Sequence, residues 1–157
     1  MSDIVRAVRK NNLNQVKELI SQGYDINLPD KNGDTALILA AYEGKTEILK
    51  LLLEAGADVT VLDPGMKATA LHAAAYAGRT EAAKLLIEYK IDINKQGPYN
   101  GYTALHDAIW QNNIETAKVI IDAGADLNIK SNNGKTPLEM AKNLNRTEIV
   151  KLIEEKL

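Results

Sequence analysis

His72 and His106 are the two histidines of the chain and stand 34 residues apart. An imidazole can act as a base, move a proton or bind a metal, so chemistry is sought here first. A metal site needs three or four ligands in fixed geometry, and no third ligand recurs near either histidine. Cysteine is absent, which excludes disulfides, thiolate ligands and cysteine nucleophiles. No Ser/His/Asp arrangement, phosphate-cradling Gly loop or paired-acid motif is present. Asp107 follows His106 directly, and helical neighbours one apart do not share a face. The expectation is therefore no catalytic residue, no metal and no cofactor, with each imidazole bonded to its local turn and tying successive segments together. Lys+Arg is 19 against Asp+Glu 21, a formal charge of −2 that offers no basic footprint for nucleic acid. Arg6, Arg9 and Lys10 break the N-terminal stretch, which therefore does not suit a signal peptide, and no apolar run reaches the roughly 18 residues of a membrane span. No membrane partner and a cytoplasmic location are expected.

The two histidines owe their spacing to a repeat. Thr35, Thr69, Thr103 and Thr136 recur at intervals of 34, 34 and 33 residues, and Ala40, Ala74, Ala108 and Ala141 each follow five residues later. Ala7 keeps the register upstream and opens a partial first unit. Gly23, Gly56 and Gly124 each lie 16 residues after their alanine, with Lys90 in that place once. Each threonine is predicted to cap a short helix, and Pro137 suits a first helical position. Gly44, Gly78, Asn112 and Asn145 end that helix, since Gly and Asn tolerate the left-handed conformation. Thr46, Thr80 and Thr147 are predicted to cap a second helix, each followed by Glu at the positive end of the dipole. Its apolar face reads Ile48, Leu49, Leu52, Leu53 in one copy. Gly- and Asn-rich stretches such as Asp30-Lys31-Asn32-Gly33 then turn the chain into the next unit with hairpin-like chemistry.

This unit resembles the ankyrin repeat. The matching residues are Thr-Ala-Leu-His at 69–72 and 103–106, Thr-Pro-Leu at 136–138 and Gly-Ala-Asp-x-Asn at 124–128. A tetratricopeptide array has a similar period but lacks both the Gly-Ala-Asp segment and the turn before each threonine. The resemblance covers nearly the whole chain and implies an all-α repeat solenoid, each unit a helix–turn–helix plus β-hairpin turn. One domain over 1–157 is expected, with repeats near 1–29, 30–62, 63–97, 98–130 and 131–157, the first and last acting as caps. Lys142 and Glu154 stand where inner copies have Ala41, Ala75, Ile109 and Leu53, Ile87, Ile121, as an uncovered terminal face requires. The array is accordingly expected to be a complete unit. Two departures matter: Ile38 replaces the histidine of the next two copies, and the turn Asp63-Pro64-Gly65-Met66-Lys67 lacks the usual glycine before Ala68, so that finger should be reshaped.

The chain has no Phe, one Trp and six Tyr, so aliphatic residues must form the core almost unaided. Tyr42, Tyr76 and Trp110 recur at intervals of 34, two residues after the repeating alanine, with Arg9 and Asn143 in the outer units. The resemblance implies that this position faces a concave groove, giving a ladder of rings, and that Tyr99 and Tyr102 flank a finger tip beside it. Such rings could merely stiffen the stack, but a row of them on one surface suits partner binding. The specificity candidates are Lys31, Asn32 and Asp34 on one finger, Met66 on the next and Lys135 on the last. Glu43 and Gln111, which follow two ladder residues, complete the set. The expected function is a non-catalytic protein–protein interaction module, monomeric when unbound, with another protein as partner. An inhibitor or immunity-type protein is the related alternative. A small-molecule binder or enzyme using the aromatic groove belongs to a different class and needs a closed cavity.

Overall fold

The structure, a computed structural model, describes residues 2–157. Ten short helices form five antiparallel pairs: α1 (Asp3–Arg9) with α2 (Leu13–Ser21), α3 (Ala36–Glu43) with α4 (Thr46–Glu54), α5 (Ala70–Ala77) with α6 (Thr80–Glu88), α7 (Ala104–Trp110) with α8 (Ile114–Asp122), and α9 (Pro137–Asn143) with α10 (Thr147–Glu154). Odd-numbered helices pack on one another in an inner row and even-numbered ones in an outer row. No strand occurs among the described residues, and no helix there is long and apolar enough to cross a membrane. The four fingers among these residues are hairpin-like turns instead, each closed by two backbone bonds, such as Asp30 N–H to the Asp34 carbonyl and Gly33 N–H to the Asp30 carbonyl.

The core follows the repeat. Ala40, Ala74, Ala108 and Ala141 are fully buried in the inner row, where small side chains let helices lie close. Leu49, Leu52, Leu86 and Ile120 are fully buried between the rows, each contributing about 1.5–3 kcal/mol over exposure. Lys142 and Glu154 are exposed on the terminal pair.

Helix starts depend on one position. Thr69, Thr103 and Thr136 each accept a backbone N–H at the third helical residue, whose side chain (His72, His106, Glu139) accepts the threonine's own N–H in return. Thr35 corrects the expectation that every such threonine caps its helix through its side chain: it makes no such bond, its buried hydroxyl has no partner, and Ile38 at that third position cannot accept the Thr35 N–H in return. Replacing Ile38 with His is expected to restore the reciprocal cap and aim Nε2–H at the Ala68 carbonyl. It should stabilise the protein by about 1 kcal/mol, read as a rise in urea midpoint; an unchanged midpoint would refute this account.

Thr46, Thr80 and Thr147 correct the sequence reading: they are the first residues of their helices, not the caps. The capping places belong to Lys45, Arg79, Asn113 and Arg146, which recur at the same interval and make no local side-chain cap. Their side chains reach back to the preceding unit instead. Arg79 Nε donates to the Tyr42 carbonyl at 3.0 Å, Asn113 Nδ2 to the Tyr76 carbonyl at 3.1 Å and Arg146 Nη2 to the Trp110 carbonyl at 2.7 Å. Each thereby satisfies carbonyls that the end of an inner helix leaves open.

The finger entering the third unit is reshaped as expected. Lys67 takes a positive φ of 55° where other fingers have glycine. The Asp63 carboxylate holds that turn by accepting the N–H groups of Gly65, Met66 and Ala68. The next finger needs its glycine: Gly101 has φ +71°, and a Cβ there would lie 2.7 Å from the Asn132 backbone nitrogen. That close approach lets Asn132 N–H donate to the Asn100 carbonyl at 2.8 Å and lock two fingers together.

Candidate functional site

The inner helix ends and the fingers enclose an open groove of about 650 Å³, within the range of ligand and peptide sites. Tyr42, Tyr76 and Trp110 line it from α3, α5 and α7, 49%, 47% and 48% exposed. None belongs to the buried core cluster, and no two of these rings stack on one another among the described residues. The clamps from Arg79, Asn113 and Arg146 fix the backbone carrying them. Met66, Tyr99 and Tyr102 close the finger side. Tyr99 is 62% exposed, with its carbonyl held by Asn132 Nδ2 at 3.2 Å. Tyr102 behaves differently: it is half-buried and stacks on His106, ring centroids 5.4 Å apart.

The structure thus brings seven of the twelve sequence candidates to one concavity. Lys31 and Asn32 lie exposed on the first finger outside it, Gln111 ends α7 in solvent, and Glu43 is paired with Lys45 at 2.6 Å. Lys135 also falls outside the lining, its backbone carbonyl taken by His106. Asp34 sits at the rim but is engaged, 2.7 Å from Arg9 Nη2, which also meets Asp30 at 3.2 Å.

Both histidines are structural. His72 Nδ1 accepts the Thr69 N–H, and Nε2–H donates to the Tyr102 carbonyl in the next unit at 2.9 Å. His106 repeats this with Thr103 and the Lys135 carbonyl at 3.3 Å. Only the neutral ring can accept at Nδ1, and burial lowers the pKa of both imidazoles. No group of three or more His, Cys, Asp or Glu residues suited to hold a metal occurs among the described residues.

Sequence reasoning weighed Asp107 only as a partner for His106 and gave it no role of its own. It lines the groove on α7, three residues before Trp110 and on the same side of the helix. Among the described residues no hydrogen bond or ion pair reaches its carboxylate, and burial alone pushes it up to about 7 from an ordinary 3.8. Burial, and then this carboxylate, also raise the Tyr102 phenol. A signal was present: Leu39, Ala73 and Met140 hold the same register in the other full units, so Asp107 is a charge in an otherwise apolar row.

A family model of ankyrin repeats in three copies matches residues 4–97, 56–131 and 96–156, together almost the entire chain. The chain belongs to the ankyrin-repeat family. Among curated proteins it is similar to the human mitochondrial disaggregase (38% identical over 60 residues, 38% of this chain and 8% of that protein). It is also similar to the palmitoyltransferase Hip14 of Drosophila melanogaster (36% over 67 residues, 43% and 10%). A third relative is the putative ankyrin repeat protein FPV219 of fowlpox virus (36% over 58 residues, 37% and 13%). The chain spans only about a tenth of the length of these relatives, so the likeness is one of repeats. Ankyrin repeats are generally protein–protein interaction modules, and the paired inner and outer helices with projecting fingers are that architecture here.

Proposed function

We propose that this ankyrin-repeat protein is a non-catalytic recognition module that binds a segment of another protein in its groove, acting in the cytoplasm as a monomer when unbound. The observation that carries the reading is the row of three half-exposed rings, evenly repeated and outside the core, facing Met66 and Tyr99 across an open concavity. Aromatic side chains supply large contact area at small entropic cost and dominate interface energetics. Their backbone is held by neighbouring units before binding, which lowers the ordering cost. An inhibitory role is the same binding put to a particular use. The open groove favours a peptide or protein surface over an enclosed small molecule.

The test is a photo-crosslinking residue placed at Tyr76 and, in a separate variant, at exposed Lys84 on α6, the outer row. In lysate of the source cells a discrete protein adduct is expected from position 76 and not from 84. Equal labelling from both would remove the groove as the binding face. With the captured protein, Trp110→Ala is expected to weaken binding by about 2 kcal/mol while barely changing the melting temperature. A steep fall in melting temperature at unchanged affinity would assign Trp110 to packing.

A further inference from the structure

Rings alone would suit an apolar side chain as well as a charged one; the groove's electrostatics decide between them. Three carboxylates line it, and two are already used: Asp34 by Arg9, and Asp63 by the backbone N–H groups of its own finger. Asp107 alone has no partner. No lysine or arginine is among the lining residues, and His72 is held neutral by its hydrogen bonds. An apolar occupant would strip the remaining water from Asp107 and either force a proton onto it or leave a bare charge, a cost that grows as pH rises above about 7. An anionic occupant would add repulsion. A cation relieves both, and the faces of Tyr76 and Trp110 carry the negative quadrupole that attracts one. Between the natural cations, a guanidinium is planar, less strongly hydrated than an ammonium, and able to lie on a ring while bonding a carboxylate edge-on.

We propose that the groove takes an arginine side chain of the partner protein, its guanidinium lying against the Trp110 and Tyr76 rings and paired with the Asp107 carboxylate. This rests on the reading that the groove binds a protein, and names the chemistry that the bound segment presents there. Trp110 and Asp107 sit one helical turn apart on α7, so ring and carboxylate are offered together by one rigid element. The groove, at about 650 Å³, has room for the flanking residues of the segment as well.

The experiment uses the intact chain and three probe peptides, acetyl-Gly-X-Gly-amide with X as arginine, lysine or citrulline, the last a neutral mimic of arginine's shape. Trp110 is the sole tryptophan, so its indole N–H gives one unambiguous NMR signal. The arginine peptide is expected to shift that signal and to bind roughly tenfold more tightly than the citrulline peptide, with lysine between them. In Asp107→Asn, confirmed folded by circular dichroism, the arginine and citrulline peptides should bind within about twofold of each other. Tetramethylammonium is included to separate an amino-acid side chain from a small organic cation. Equal binding of arginine and citrulline by the parent protein overturns the proposal, as does tighter binding of lysine or tetramethylammonium than of arginine, or no shift of Trp110 with the arginine peptide. An adduct at position 76 combined with any of these outcomes leaves protein recognition standing and removes only the charge reading. Arginine selectivity without an adduct at position 76 keeps the groove's preference for a guanidinium but removes a partner protein as its source, and so overturns the proposal as well.

Discussion

Replacing Asp107 with asparagine is expected to stabilise the protein at pH 8 by about 2–4 kcal/mol and to leave it almost unchanged at pH 4. The Asp107 carboxyl titrates near 7 in the folded chain and at an ordinary 3.8 when exposed. Between those values the folded state binds more protons than the unfolded state, so this group lowers stability as pH rises through the window. Above about 7 both states are ionised and the cost of the partly buried charge is present. Solvent at the mouth of the groove trims that cost below the full value implied by the shift. The two histidines tilt the profile the other way. Burial lowers their folded pKa below 6.5, so their contribution is complete above pH 6.5 and fades as pH falls through and below that value. Urea titrations of both proteins across pH, followed by far-ultraviolet circular dichroism, separate the two slopes. Parallel stability profiles for parent and variant would show that Asp107 pays no such cost. A side chain that costs stability where it stands is expected at a place that does something else, since activity and stability often trade against one another.

His106→Ala is expected to destabilise by about 3 kcal/mol or more. The ring is fully buried and accepts the Thr103 N–H. It also donates to the Lys135 carbonyl of the next unit and carries the Tyr102 ring on its face. Truncation loses a cap, a bond between units and packing volume together. His106→Gln should lose less, because an amide oxygen at this position can still accept the Thr103 N–H, as the Glu139 carboxylate does for Thr136. Denaturant midpoints for the two variants check the order. Equal losses would place the effect in packing alone. Because Tyr102 rests on His106, the alanine variant should also loosen the finger side of the groove, visible as altered chemical shifts at Gly101 and Tyr102.

Both variants show where local and long-range causes divide. The sequence by itself determined the repeat register, the ends of the inner helices and the ladder positions of Tyr42, Tyr76 and Trp110. These depend on interactions within a few residues: a hydroxyl and an N–H one turn apart, a left-handed Gly44 or Asn112, apolar spacing along one helix face. A periodic stack then carries each local solution to the same place in every unit. The missing cap at Thr35 is equally local but was not read from the sequence, where the recurring threonine suggested a cap in every unit although Ile38 stands where the next two have His. Tertiary structure alone decided what meets across units. The clamps from Arg79, Asn113 and Arg146 span 36 to 38 residues and displaced the threonines from the capping role their composition suggested. Arg9 joins Asp34 across 25 residues and removes it as a free charge. Asp107 illustrates the limit. Helical geometry separated it from His106, but its partial burial without a partner is a property of the groove assembled by α3, α5, α7 and the fingers. A charge becomes costly, and useful, only once neighbours distant in sequence have excluded most of its water.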